Sequence, residues 1–144
     1  MAREPRSAGI GLAFGAGAMS FAAILASVLD QCDGELGVAL MGLDGVPIHV
    51  LRPTKSSMRD DPFEGDVTLA GVEFGPILKE MGRAADRLAA GRVRETVIRL
   101  DRATLLCQRV DEGTWLVLAL APDGNVGKAR FLMRRSLLAL CDLL

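Results

Sequence analysis

Apolar residues recur along this chain at two spacings, one helical and one typical of strands. Behind Ser20, a residue suited to cap a helix, come Phe21, Ile24, Leu25, Val28, Leu29 and Cys32 at helical spacing, and Asp33-Gly34 stops them. Leu36 to Gly42 is an unbroken apolar run, as expected of a strand covered on both faces. Asp44-Gly45 signals a tight hairpin, with Val46 to Val50 as the returning strand. Pro47 has no N–H for a ladder, which predicts a place at the sheet edge. Residues 52–66 read as a long polar loop. Val67, Ala70, Phe74, Ile77, Leu78, Met81, Ala85 and Leu88 then mark a second helix with Gly91 as its C-cap. Gly75-Pro76 inside it predicts a kink or a detached first turn. Three strands follow: Arg92 to Leu100, Thr104 to Val110 and Trp115 to Ala121. The last is apolar throughout and is expected at the centre of a sheet. After the turn Pro122-Asp123-Gly124-Asn125, a final helix starts near Val126 and aligns Ala129, Met133, Ser136, Leu137, Leu140 and Leu144.

Helix, two strands, helix, three strands, helix is therefore the predicted order. Nearly every connection between strands is of hairpin length, so the fold class is α+β, with a mainly antiparallel five-stranded sheet flanked by helices. The 144 residues suit one domain, placed at 19–144. Residues 1–18 are Gly/Ala-rich without a period and read as a mobile leader. With half of its residues hydrophobic and 24% charged, the chain has the composition of a folded protein. No apolar run reaches ~18 residues, which argues against membrane insertion. The net charge of −1 argues against a basic nucleic-acid binder. Charge is uneven, however: residues 1–91 hold 8 Lys/Arg against 12 Asp/Glu, and residues 92–144 hold 9 against 6.

Candidate chemistry is sparse. Cys32, Cys107 and Cys141 are odd in number, lack C-x-x-C spacing and have apolar neighbours. They read as small buried hydrophobes in a reducing cytoplasm rather than as a disulfide framework or zinc site. There is no Tyr and one His, His49, with no nucleophile at motif spacing. Asp60, Asp61, Glu64 and Asp66 form an acidic loop whose spacing fits no EF-hand. Gly124 to Ala129 is similar to a phosphate loop, but Pro122 stands where its first Gly belongs and Ala129 where Ser or Thr would bind magnesium. No catalytic residue, cofactor or metal site is identified. Lys128, Arg130, Arg134 and Arg135 give the last helix a basic face, either simply solvated or open to an anionic lipid, nucleic acid or acidic partner.

Two surfaces suit protein contacts. In the strand Arg92 to Leu100, alternation puts Val93, Glu95, Val97 and Arg99 on one face. As an edge strand it either pairs with its own copy or uses its charges to prevent pairing. The second helix is apolar over more than the ~100° that covering a sheet requires. Lys79, Glu80, Arg83, Asp86 and Arg87 form a polar rim beside that face.

Leu36 to Ile48, Gly91 to Ile98 and Asp123 to Arg135 resemble, in the same element order, the first hairpin, the helix-to-strand transition and the last helix of the roadblock/dynein light chain family. Residues 20–144 are covered. The combination is most similar to the bacterial, Mgl-type branch, regulators of Ras-like small GTPases linked to cell polarity. The resemblance implies a roadblock/profilin-like fold and a cytoplasmic homodimer, in which the strand after the second helix pairs across a two-fold axis and the second helices lie over the joined sheet. Carried to this chain, the dimer interface comprises Val93, Glu95, Val97 and Arg99 with Leu78, Met81, Ala85 and Leu88, and the GTPase-binding residues are Lys79, Glu80, Arg83 and Arg87. The implied function is a non-catalytic regulator that activates or localises a GTPase; the alternative is a scaffold or adaptor without effect on hydrolysis. A small-ligand sensor or enzyme using the first hairpin and loop 52–66 is the reading from another class.

Overall fold

A computed structural model describes residues 20–53 and 61–144. The leader at 1–18, Met19 and Asp60 of the acidic loop lie outside the described residues. The elements are α1 (Phe21–Gln31), β1 (Glu35–Gly42), β2 (Pro47–Leu51), α2 (Thr68–Arg87), β3 (Glu95–Arg99), β4 (Thr104–Asp111), β5 (Thr114–Leu120) and α3 (Val126–Leu143). They form one antiparallel sheet in the order β2-β1-β5-β4-β3. The apolar runs of β1 and β5 lie in its interior, as their composition predicts. β2 carries Pro47 at one edge, opposite a register shift at Leu40/Met41. β3 is the other edge.

Alternation divides the core between the two faces of the sheet. On one face Ile24, Leu25, Val28 and Leu29 of α1 and Leu132, Met133 and Leu140 of α3 meet Val38, Leu40, Leu106, Leu116 and Leu118. On the other, Val67, Ala70 and Leu78 at α2 meet Ala39, Met41, Leu105, Trp115 and Val117. α1 begins as its sequence predicts, with the Ser20 hydroxyl accepting from the Ala23 N–H at 3.1 Å. At α3 the Asn125 side chain accepts from Lys128 N–H at 3.0 Å, so the segment similar to a phosphate loop is a helix cap.

Four expectations are corrected. α2 runs unbroken from Thr68 to Arg87, so Gly75-Pro76 detaches no turn. Pro76 has no N–H for the Val72 carbonyl, and beside it the helix passes the turn after β1, where a Cβ on Gly75 would make an ordinary 3.4 Å contact with the Leu43 carbonyl oxygen. The helix is closed by Ala89, at φ 51°, rather than by Gly91. Ala90 N–H donates to Ala85 O at 2.9 Å and Ala89 N–H to Asp86 O at 3.0 Å, the paired bonds of a Schellman motif. β3 begins at Glu95, not Arg92. The Arg109 guanidinium takes the Val93 carbonyl at 2.9 Å, and the Val93 side chain packs with the α2-side core, off the alternation of the strand. Finally, Cys32 and Cys107 are buried but Cys141 is exposed.

Candidate protein-interaction surface

β3 pairs with β4 on one side and, among the described residues, has no neighbouring strand on the other. Leu100 N–H donates to Ala103 O at 2.8 Å and Arg109 N–H to Arg94 O at 2.9 Å. The ladder thus uses the backbone of 94, 96, 98 and 100, and the alternation of an antiparallel pair turns the N–H and C=O groups of Glu95, Val97 and Arg99 outward. These three are a free hydrogen-bonding edge. Their side chains lie on the α3 side of the sheet: Val97 pairs with Leu106, and Glu95 with Gln108. Val97 is 39% exposed.

α2 supplies the second part of the surface. The core on its side of the sheet holds no α2 residue beyond Leu78. Phe74, Ile77, Met81, Ala84 and Leu88 follow alternating three- and four-residue steps, the spacing of a helix–helix seam. Ile77, Met81 and Leu88 on it are 51%, 38% and 77% exposed, and Ala85 beside it is half-buried. Leu78, by contrast, is 5% exposed and belongs to the core of its own chain. Ile77 and Ala84 belong to the broad apolar side that the sequence predicts for this helix, although they are not among the interface residues carried over from the resemblance.

On the rim, Glu80 holds Arg83 at 2.9 Å and Arg87 at 3.9 Å, all well exposed. Such pairs contribute little to stability; they place both arginines along one side of the helix. Lys79 is exposed beside them.

Several polar groups away from this surface serve the fold. Asp61 accepts from Phe63 N–H at 2.8 Å and Gly65 N–H at 2.9 Å. Asp66 accepts from the Thr68 hydroxyl and backbone, and the hydroxyl bond holds its carboxyl below the usual range. Burial pushes the Cys32 thiol up to about 11 and the Cys107 thiol to about 12, which makes both poor nucleophiles. His49 is half-buried on β2. Among the described residues no three His, Cys, Asp or Glu side chains stand close enough to hold a metal ion, and no helix is long and apolar enough to cross a membrane.

No family model matches the chain, and no curated protein does. Solved structures do. MglC from Myxococcus xanthus is 31% identical, with 88% of this chain and 100% of that one covered and a TM-score of 0.62. The gliding protein MglB from Thermus thermophilus is 18% identical over 83% of this chain and 84% of that one, at a TM-score of 0.70. A roadblock/LC7 domain from Streptomyces avermitilis is 16% identical over 81% and 91%, at 0.66. These last two share the fold. With the five-stranded sheet, the three helices in their order and the Myxococcus likeness over its whole length, this chain belongs to the roadblock/LC7 family, among its Mgl-type members.

Proposed function

We propose that this chain is a homodimeric, non-catalytic regulator of a bacterial Ras-like small GTPase, acting in the cytoplasm to activate or to localise it. One observation carries the reading: an open strand edge at Glu95, Val97 and Arg99 accompanies an α2 seam that the described residues leave uncovered. A second copy answers both needs. Antiparallel pairing of β3 with its copy, centred on Val97, joins two five-stranded sheets and sets Glu95 opposite the partner's Arg99. The two α2 helices then meet through Ile77, Met81, Ala85 and Leu88, with Val97 and Arg99 at the strand junction.

The dimer presents the outer side of the paired helices, with Lys79, Glu80, Arg83 and Arg87, as a charged platform for the GTPase. Arg83 and Arg87 stand exposed near Glu80; the Mgl-type resemblance favours regulation by ordering the GTPase's own catalytic groups over insertion of an arginine finger. The chain itself lacks the serine or threonine and the first glycine of a phosphate loop, so hydrolysis belongs to the partner.

The experiment is a pull-down and hydrolysis assay with the Ras-like GTPases of the same genome, loaded with GTP or GDP. State-dependent binding with faster GTP hydrolysis, reduced by Arg83→Glu/Arg87→Glu, is expected. Binding with no change in rate selects the scaffold reading, and absence of binding to every such GTPase contradicts both.

A further inference from the structure

The basic face of α3 has no part in that platform, and beside it runs an open groove of about 690 Å³ between α3 and the β3–β4 end of the sheet. We propose that this groove binds an acidic peptide segment of a partner protein. Arg92, Arg94, Arg109, Arg130 and Arg134 line it against two carboxylates, Glu95 and Asp111. Arg109 is committed to the carbonyls of Val93, Asp111 and Glu112, and Arg92 to Glu112. Arg94 and Arg134 are exposed and make no ion pair among the described residues.

The groove already seats one carboxylate. Glu95 lies 2.6 Å from Arg130 while its other oxygen accepts from Gln108 Nε2 at 2.9 Å. Gln108, 1% exposed and also lining the groove, keeps an Oε1 with no hydrogen-bond partner among the described residues. The site therefore asks for carboxylate oxygens at its arginines, next to the apolar Leu137 and Leu138, and a small outward turn of the buried Gln108 amide would offer its Oε1 to an N–H donor at the inner wall. A peptide chain bearing Asp or Glu offers all three. A phosphodiester backbone carries acceptors for the arginines but no N–H group for Gln108, and a bilayer surface does not enter a concave groove.

The test selects a display library of random dodecapeptides on the full chain and measures the recovered peptides by fluorescence anisotropy. Expected are sequences enriched in Asp and Glu that bind Arg94→Ala/Arg134→Ala at least tenfold more weakly and lose binding when their acids are replaced by amides. The same peptides should shield Cys141, which lines the groove and is exposed, from alkylation in the unmutated chain; this locates the site even if the double variant folds poorly. The proposal is overturned if no acidic sequences are enriched, if those recovered leave Cys141 reactive or bind the variant equally, or if vesicles of anionic lipid or a single-stranded oligonucleotide protect Cys141 as well as the peptides do. None of these readouts involves a GTPase, so they stand apart from the regulatory reading.

Discussion

Arg130 on α3 holds the carboxylate of Glu95 on β3 at 2.6 Å, tying the last helix to the edge strand. Glu95 is a residue that sequence places in a contact between two copies, yet its first partners are Arg130 and Gln108 of its own chain. The pair is partly solvated, with Arg130 44% and Glu95 24% exposed as side chains. A double-mutant cycle of Glu95→Ala and Arg130→Ala in urea denaturation should give a coupling of about 0.5–1 kcal/mol, falling with added salt. A coupling indistinguishable from zero removes this tie.

The thiols separate by burial. At neutral pH one thiol per native chain, Cys141, should react quickly with iodoacetamide, and all three should react in denaturant; mass spectrometry counts them. Burial raises Cys32 to about 11 and Cys107 to about 12. A thiol raised in the folded state contributes stability that is complete below its unfolded pKa and is lost as pH climbs towards the folded value. Stability should therefore fall above about pH 9, and Cys107→Ala, despite the cavity it leaves, should make that decline shallower. Unchanged alkaline stability in the unmutated chain contradicts this.

Ala89 closes α2 in the left-handed region at φ 51°. An L-residue with a Cβ is disfavoured there by about 1–2 kcal/mol, and glycine's freedom in the unfolded chain offsets about 0.5–1 of that. Ala89→Gly should stabilise the protein by about 0.5–1 kcal/mol by thermal or urea denaturation. Gly91→Ala should destabilise it, because Gly91 holds φ 90°.

The element order, the central place of β5 and the edge position of β2 follow from patterns that local chemistry controls: apolar runs, Asp-Gly turns and a proline without an N–H. The deviations arise where distant groups decide. Arg109, sixteen residues away, draws in the Val93 carbonyl and shortens β3. Gly75-Pro76 stays inside an unbroken α2 that packs over the first hairpin. Leu78 and Ile77 are equally apolar letters, and only the position of the sheet beneath the helix buries one and exposes the other. The groove is half legible in the sequence, as the basic face of α3; Gln108, Arg92 and Arg94 join it because α3 packs beside the β3–β4 hairpin, a placement that periodicity does not reveal.

The open edge at β3 permits a fine test of geometry. The Val97 N–H turns away from β4, so proline at 97 removes no ladder bond inside the chain but blocks pairing with a second copy. Val97→Pro should keep the circular dichroism of the folded chain and abolish self-association. Retained self-association places the contact elsewhere.

Light scattering of the unmutated chain against Val97→Lys measures most directly whether two copies join along β3. Pairing along β3 gives twice the 15.3 kDa of one chain for the former and a folded single chain for the latter, where two lysines would meet at the axis. A mass of one chain for the unmutated protein at micromolar concentration, or an unchanged double mass for Val97→Lys, contradicts it.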